Sequence, residues 1–310
     1  NNYMKSKKII IGSRGSKLAL IYAGIARKKF LDFKNDLKIS EVKIKPIKTK
    51  GDKIQTKRLS EIGGKGLFSK TIENELLKKK IDIAVHALKD MPSNETKGLI
   101  TICYLKRNDN REVFISRGKK KFKNISKGSV IGTSSFRREF QLKKKRNDLK
   151  YKLIRGNVDT RIKKLNEKNY DGIILSHTGV KFLGFNKKIS QIFSPSDIIP
   201  SAGQGIIALQ CRKKDFRIIK FLKKINHKHT YFLGRTERNV LKVLDGDCDT
   251  AIGVSSRIIK KKIYIEAELF SKDGKKRFFV KDNSNLKNAY SLGKKVGERL
   301  KKISKDTYKK

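Results

Sequence analysis

Short apolar runs that stop at glycine- or hydroxyl-bearing turns recur along the first two thirds of the chain, and most lead into a stretch with helical spacing. Ile9-Ile-Ile-Gly12 predicts a short buried strand running into Ser13-Arg-Gly-Ser16. Leu18, Ile21, Ile25 and Phe30 follow near helical spacing, with Ser16 placed to cap the orphan N–H groups. Glu41 to Lys48 alternates Val42, Ile44 and Ile47 with Lys, is interrupted by Pro46, and predicts an edge-like strand. Thr49 to Ser60 is polar and aperiodic and predicts a long loop, after which Gly63-Gly-Lys-Gly-Leu-Phe68 opens a helix through Lys80. The stretch Ile81 to Ser93 predicts a strand that ends abruptly in Lys89 and Asp90, with Pro92 stopping the ladder for want of an N–H.

Leu99 to Leu105 is a further strand, and then the strand–turn–helix arrangement starts again. Ser129 to Gly132 is a strand, Thr133-Ser-Ser135 supplies hydroxyl caps, and Arg137 and Arg138 lie in the first turns of the next helix. Tyr151 to Ile154 is a strand, Arg155-Gly-Asn157 a turn, and the following helix carries Arg161 beside its apolar side of Val158, Ile162 and Leu165. Asp171 to Leu175 and a helix through Leu183 complete this set, and Pro200-Ser-Ala-Gly-Gln-Gly205 leads into Ile206 to Leu209. From about residue 218 the pattern changes to helices at 218–225 and 235–244, strands at 251–254, 262–269 and 277–280, and a last helix near 286–303. Strands grouped between helices predict an α+β domain after the α/β part.

At 310 residues, two or three domains are expected, and no run of eighteen apolar residues exists to span a membrane. The chain opens on Asn-Asn with no secretory h-region, and a trimmed targeting segment stays an open alternative. The net charge of +49 suggests nucleic acid at first, but the 78 basic residues are 18 Arg and 60 Lys, scattered in runs without interleaved aromatics. A Lys- and Asn-rich compositional drift explains this equally well. Attraction of anionic small molecules follows in either case. Cys103, Cys211 and Cys248 have neither disulfide-framework nor zinc spacing, and the four His form no metal motif, so a reducing compartment and no metal are expected.

Ligands of open α/β sheets bind beyond the carboxyl ends of strands, so Lys89-Asp90 is either a site or an ion pair on a loop. Two consecutive strand–turn–helix joints each present a pair of Arg, near the positive end of a helix dipole where cations are disfavoured unless an anion visits. Arg forks onto carboxylates, which points to a poly-carboxylate or phosphate ligand. Cys248 sits between Asp247 and Asp249, acids that disfavour its thiolate, so it suits a one-time attachment better than turnover.

Taken together, Gly12-Ser-Arg-Gly-Ser-Lys-Leu-Ala19, Thr49-Lys-Gly-Asp52, Gly63 to Phe68, Asp82 to Pro92, Gly132-Thr-Ser-Ser-Phe-Arg-Arg138, Arg155-Gly-Asn-Val-Asp-Thr-Arg161, Gly203-Gln-Gly205, Glu237-Arg238 and Gly246-Asp-Cys248 resemble, in order, the hydroxymethylbilane synthase (porphobilinogen deaminase) family. The resemblance implies three domains: two periplasmic-binding-protein-like, doubly wound α/β domains facing a cleft (5–104 with 200–217, and 105–199) and a smaller α+β domain at 218–310. It implies a transferase that condenses four porphobilinogen molecules head to tail, releasing ammonia, to make hydroxymethylbilane. It implies a dipyrromethane cofactor on a thioether to Cys248. Asp90 would be catalytic. Lys89, Ser135, Arg137, Arg138 and Arg155 would hold the cofactor, and Arg14, Ser16, Arg155, Arg161 and Gln204 the substrate. The polar loop from Lys50 to Gly64 would be a lid. A cytoplasmic monomer passing product to uroporphyrinogen-III synthase is expected, with an organelle matrix or plastid stroma as the other location, and no nucleic-acid or membrane partner. Departures are Tyr22 for a usual Gln, Phe182 for a basic residue, Gln210 for an acid, Asp247 for a Gly and Ala251 for a Pro. The alternative reading is a non-catalytic two-lobed protein that binds an anionic small molecule.

Overall fold

The computed structural model describes residues 7–54, 56–58, 61, 66–167, 169–246 and 250–309. They fall into two compact units. The first takes in the chain to Lys53, Gly66–Arg107 and Ile206–Tyr231; the second takes in Ile54–Lys65, Asn108–Gly205 and Phe232–Lys310. In the first unit β1 (Lys7–Arg14) leads through α1 (Lys17–Asp32) and the single turn α2 (Lys34–Leu37) to β2 (Ile39–Ile47). Then come α3 (Lys50–Lys53), α4 (Lys70–Leu77), β3 (Ile83–Ala87) and β4 (Leu99–Tyr104). The second unit begins with β5 (Glu112–Ser116), β6 (Val130–Gly132), α5 (Phe136–Lys145), β7 (Lys150–Lys152), α6 (Val158–Asn166), β8 (Gly172–Ser176), α7 (His177–Phe182) and β9 (Gln191–Ile192). The chain returns to the first unit for β10 (Ile207–Arg212) and α8 (Phe216–Ile225). It ends with α9 (Lys228–Leu244), β11 (Ile252–Ile259), β12 (Lys262–Phe270), β13 (Arg277–Asn285) and α10 (Ala289–Ser304).

The two five-stranded sheets share one plan. Their orders are β2-β1-β3-β10-β4 and β7-β6-β8-β5-β9. In each, three parallel strands stand beside an antiparallel strand that follows a crossover, β10 in one and β5 in the other. The carboxyl ends of β1, β2 and β3 therefore lie at one edge of the first sheet, and those of β6, β7 and β8 at one edge of the second. The reason for the continuous apolar runs is visible in the second sheet. Val113, Ile115, Ile173 and Leu175 pack on one face with α6, whereas Phe114, Ile174 and Ile131 pack on the other with Leu142 of α5. A strand buried on both faces has no polar alternation to show. Burying each such side chain contributes about 1.5–3 kcal/mol.

The C-terminal sheet β11-β12-β13 is antiparallel and packs on α9 and α10 through Val240, Leu244, Val254, Ala267, Val296 and Leu300. Fully buried Glu237 of α9 accepts from the Gly203 N–H (2.8 Å) and from the Ser256 N–H and hydroxyl (3.1 and 2.7 Å), and Val254 N donates to Pro200 O (2.8 Å). These bonds join α9 and β11 to the segment that carries Gln204. Gly205 there has φ +81, and a Cβ would lie 2.7 Å from Asn108 O, so only glycine fits that close passage. Fold class is as the sequence implied: mixed α/β, with two doubly wound sheets and a smaller α+β piece at the C-terminus. β5 and β9 have no counterpart in the sequence reading, and the loop after Thr49 contains the short helix α3. Among the described residues, no helix is long and apolar enough to cross a membrane.

Candidate active site

In the first unit Asp90 closes a 3-10 turn, Leu88–Asp90, directly beyond β3. Leu88 is its buried anchor at 1% exposure, which leaves Lys89 and Asp90 half-buried at the carboxyl edge of the sheet. The Asp90 carboxylate accepts no hydrogen bond among the described residues. Nearby Tyr22 of α1 is 8% exposed; burial, and secondarily the charge of Asp90, push its hydroxyl well above the ordinary range, so it stays neutral. Ser93, three residues beyond Asp90, has a buried hydroxyl with no partner among the described residues. Behind the turn buried His86, Gln210 and Glu73 form a network that reaches exposed Glu95. The His86 Nε2–H donates to Gln210 Oε1 (2.9 Å), and the Gln210 amide donates to Glu73 and Glu95 (2.8 and 3.0 Å). An amide at position 210 donates to both carboxylates at once, which an acid there could not do.

Arg14 and Ser16 follow β1. Ser16 caps α1 through the Ala19 N–H (3.3 Å), as expected. The Arg14 guanidinium pairs with Asp52, which also accepts from Thr49 Oγ1 (2.7 Å), and it stacks 4.1 Å from the Phe68 ring. Burial alone would raise the Asp52 carboxyl; hydrogen bonds from Arg14 and Thr49 more than offset it and hold it below the ordinary value. Arg14 therefore ties the β1 end to both sides of the polar loop.

In the second unit Ser135 caps α5 through the Arg138 N–H (3.3 Å). Arg137 and Arg138 turn inward, 5% and 7% exposed, and both clasp the fully buried Glu112 of β5, at 2.7 and 2.9 Å. Arg137 also donates to Ile199 O (2.8 Å) and Arg138 to Ile174 O (3.4 Å). Two guanidiniums on one carboxylate leave one positive charge over. The buried Arg138 Nε–H has no acceptor among the described residues.

Beyond β7, Arg155 is 6% exposed and donates to Ile54 O (3.4 Å). Gly156 takes φ +117, open to glycine alone at this turn, and its carbonyl accepts from Arg161 Nε (2.8 Å). Arg161 Nη2 in turn donates to Ser134 Oγ (3.2 Å), so the α5 and α6 joints meet. Gln204 is fully buried and donates to Asn110 O (2.8 Å). Cys248, with Asp247 and Asp249, lies outside the described residues.

One residue that sequence reasoning passed over stands beside this joint. Arg58 lies 4.0 Å from the Phe136 ring centroid, 3.4 Å from Glu139 Oε2 and 3.5 Å from Ser134 O. Its only sequence signal was an Arg in an otherwise Lys-rich loop. The structure thus gathers Ser134, Ser135, Arg155 and Arg161, with Arg58, about the carboxyl edge of the second sheet. Arg137 and Arg138 sit beneath it, Gln204 lies in the crossover, and Lys89 and Asp90 lie at the matching edge of the first sheet.

The family model for the porphobilinogen deaminase dipyrromethane cofactor binding domain matches residues 9–220, and that for the porphobilinogen deaminase C-terminal domain matches 232–302. Porphobilinogen deaminase of Syntrophomonas wolfei is 39% identical over 294 residues, covering 95% of each chain. That of Staphylococcus epidermidis is 40% identical over 301 residues (96% and 95% covered), and that of Lysinibacillus sphaericus 43% identical over 251 (79% of each). The chain belongs to the porphobilinogen deaminase family.

Proposed function

We propose that Asp90 handles the proton in this enzyme's reaction and that the cations of the second unit hold the carboxylates of its ligands. The reaction is the condensation of four porphobilinogen molecules, head to tail, into hydroxymethylbilane. At each step a C–N bond breaks and a C–C bond forms, and the hydrogen lost by the attacked ring carbon ends on the departing ammonia. The amine needs a proton as it leaves, positive charge develops on its pyrrole, and the attacked ring must then give up a proton. A carboxylate at pyrrole N–H distance serves all three needs. The carrying observation is Asp90 itself, a half-buried carboxylate at a strand end with no hydrogen bond among the described residues. Its acceptor oxygens are thus open to a ligand, and a pyrrole N–H could donate to them.

Each porphobilinogen brings an acetate and a propionate, which the cationic edge of the second unit suits. Arg155 and Arg161 with the Ser134–Ser135 helix start would bind them in the second unit, and Arg14, Ser16 and Lys89 are the carboxylate-binding candidates of the first. The dipyrromethane cofactor supplies the primer on which the chain is extended. The buried Arg138 Nε–H, the surplus charge of the Arg137–Arg138 pair, and Arg155, Ser135 and Lys89 fit its carboxylates, and Cys248 would be its attachment point. Gln204 would act by holding the crossover. A cytoplasmic monomer that hands its product to uroporphyrinogen-III synthase belongs to the same proposal.

Steady-state porphobilinogen consumption by Asp90→Asn tests the reading. The expected kcat loss is roughly 10²–10⁴-fold, with KM nearly unchanged. A wild-type rate would remove Asp90 from the chemistry.

A further inference from the structure

A second cationic cavity lies wholly within the second unit, at the other end of its sheet. It is an open concavity of about 470 Å³, inside the range of roughly 300–1,000 Å³ typical of small-molecule sites. Its floor is apolar: Ile115 of β5 with Ile162 and Leu165 of α6. Its walls carry Lys119, Lys187 and Lys188. These ammoniums come from two separate turns, one directly after β5 and one between α7 and β9. Arg117 also lines the cavity but is paired with Asp171 at 2.8 Å. The three ammoniums have no ion pair or hydrogen bond among the described residues, and no acid is among the lining residues. In the first of these turns Gly118 and Lys119 are successive left-handed residues, at φ +71 and +55. A non-glycine residue held there costs on the order of 1 kcal/mol or more.

The place is distinct from the catalytic edge. β5 runs antiparallel to β8, with Ser116 opposite Gly172 at the cavity end and Glu112 opposite Ser176 at the other. Four residues of strand, roughly 13 Å, separate the two ends. The lysine runs elsewhere in this basic chain are dispersed. Here three lysines, without an ion pair among the described residues, line one concavity with an apolar floor, which draws anions toward it. An apolar floor with cations on the walls suits a flat ring bearing acidic groups better than a bare anion.

We propose that this cavity is a second, non-catalytic anion site that takes a small ring carrying one or two carboxylates, the class to which porphobilinogen belongs. Amide NMR on the full ¹⁵N-labelled chain tests it, with pyrrole-3,4-dicarboxylate as the probe, since that ring has no aminomethyl group to react. Saturable shifts are expected at residues 115–119, 162–166 and 187–188. They weaken at least tenfold in the Lys119→Glu, Lys187→Glu, Lys188→Glu triple variant, while its porphobilinogen consumption stays within twofold of wild type. Unchanged amides elsewhere in that variant report an intact fold. Shifts confined to the Ser134–Arg161 joint, or equal affinity in the triple variant, would overturn the proposal. So would inorganic phosphate saturating the same amides as tightly as the dicarboxylate, because that would assign the cavity to phosphate.

Discussion

Glu112 offers a sharp test of how the second unit manages its charge. It is fully buried, and its two oxygens face two guanidiniums at 2.7 and 2.9 Å that are themselves at most 7% exposed. Burial pulls Arg137 below its ordinary value, and the Glu112 charge is what opposes it. Glu112→Ala would leave two cations in the interior with no counter-charge, and removing one partner of a buried pair costs about 3–5 kcal/mol. Glu112→Gln keeps one acceptor oxygen but no charge, and it sets an amide N–H2 against the second guanidinium, so its loss should approach that of the Ala variant. For a body of this size a kcal/mol moves the melting midpoint by about 2–4 °C. Calorimetry should therefore find the Ala variant melting roughly 6–20 °C lower. The Gln variant should melt close to it. A melting point within 2 °C of wild type for Glu112→Ala would refute the reasoning, because it would mean that Arg137 and Arg138 find counter-charge elsewhere.

Arg58→Ala removes the guanidinium over Phe136 and should raise KM for porphobilinogen several-fold with kcat little changed; Arg58→Lys should restore part of the loss, and an unaltered KM in Arg58→Ala would deny Arg58 a binding role. Cys103 and Cys211 are fully buried, and burial pushes both thiols up to about 12. Iodoacetamide at pH 8 should leave both unlabelled in the native protein and label them after unfolding, and native labelling of either would mean that the first unit opens locally.

Much of this arrangement was legible in the chain because local signals and the fold agree. Ser16 and Ser135 cap the helices their spacing suggested, and Lys89-Asp90 does sit just past a strand end. What stayed hidden depends on partners distant in sequence. β5 opens on Glu112, a charge that argues against a buried strand until Arg137 and Arg138, 25 and 26 residues on, are seen around it. The same contact explains how two Arg in a first helical turn can both be buried: one internal carboxylate sits between them and leaves one positive charge over. Gln204 sits in a polar, glycine-rich turn that suggests exposure, yet a backbone acceptor at Asn110 lets it be fully buried. Arg58 lay in an aperiodic loop, where no spacing rule marks one side chain above its neighbours.

The central claim joins Asp90 to a ligand tethered at Cys248, and intact-mass spectrometry of the purified full chain tests that most directly. The account expects a covalent adduct of two linked pyrroles on wild-type protein from a host that makes porphobilinogen. Cys248→Ser should show none. Asp90→Asn should carry the adduct and, when given porphobilinogen, extend it slowly or not at all. Wild-type protein at its unmodified mass, or an adduct that survives Cys248→Ser, would contradict it.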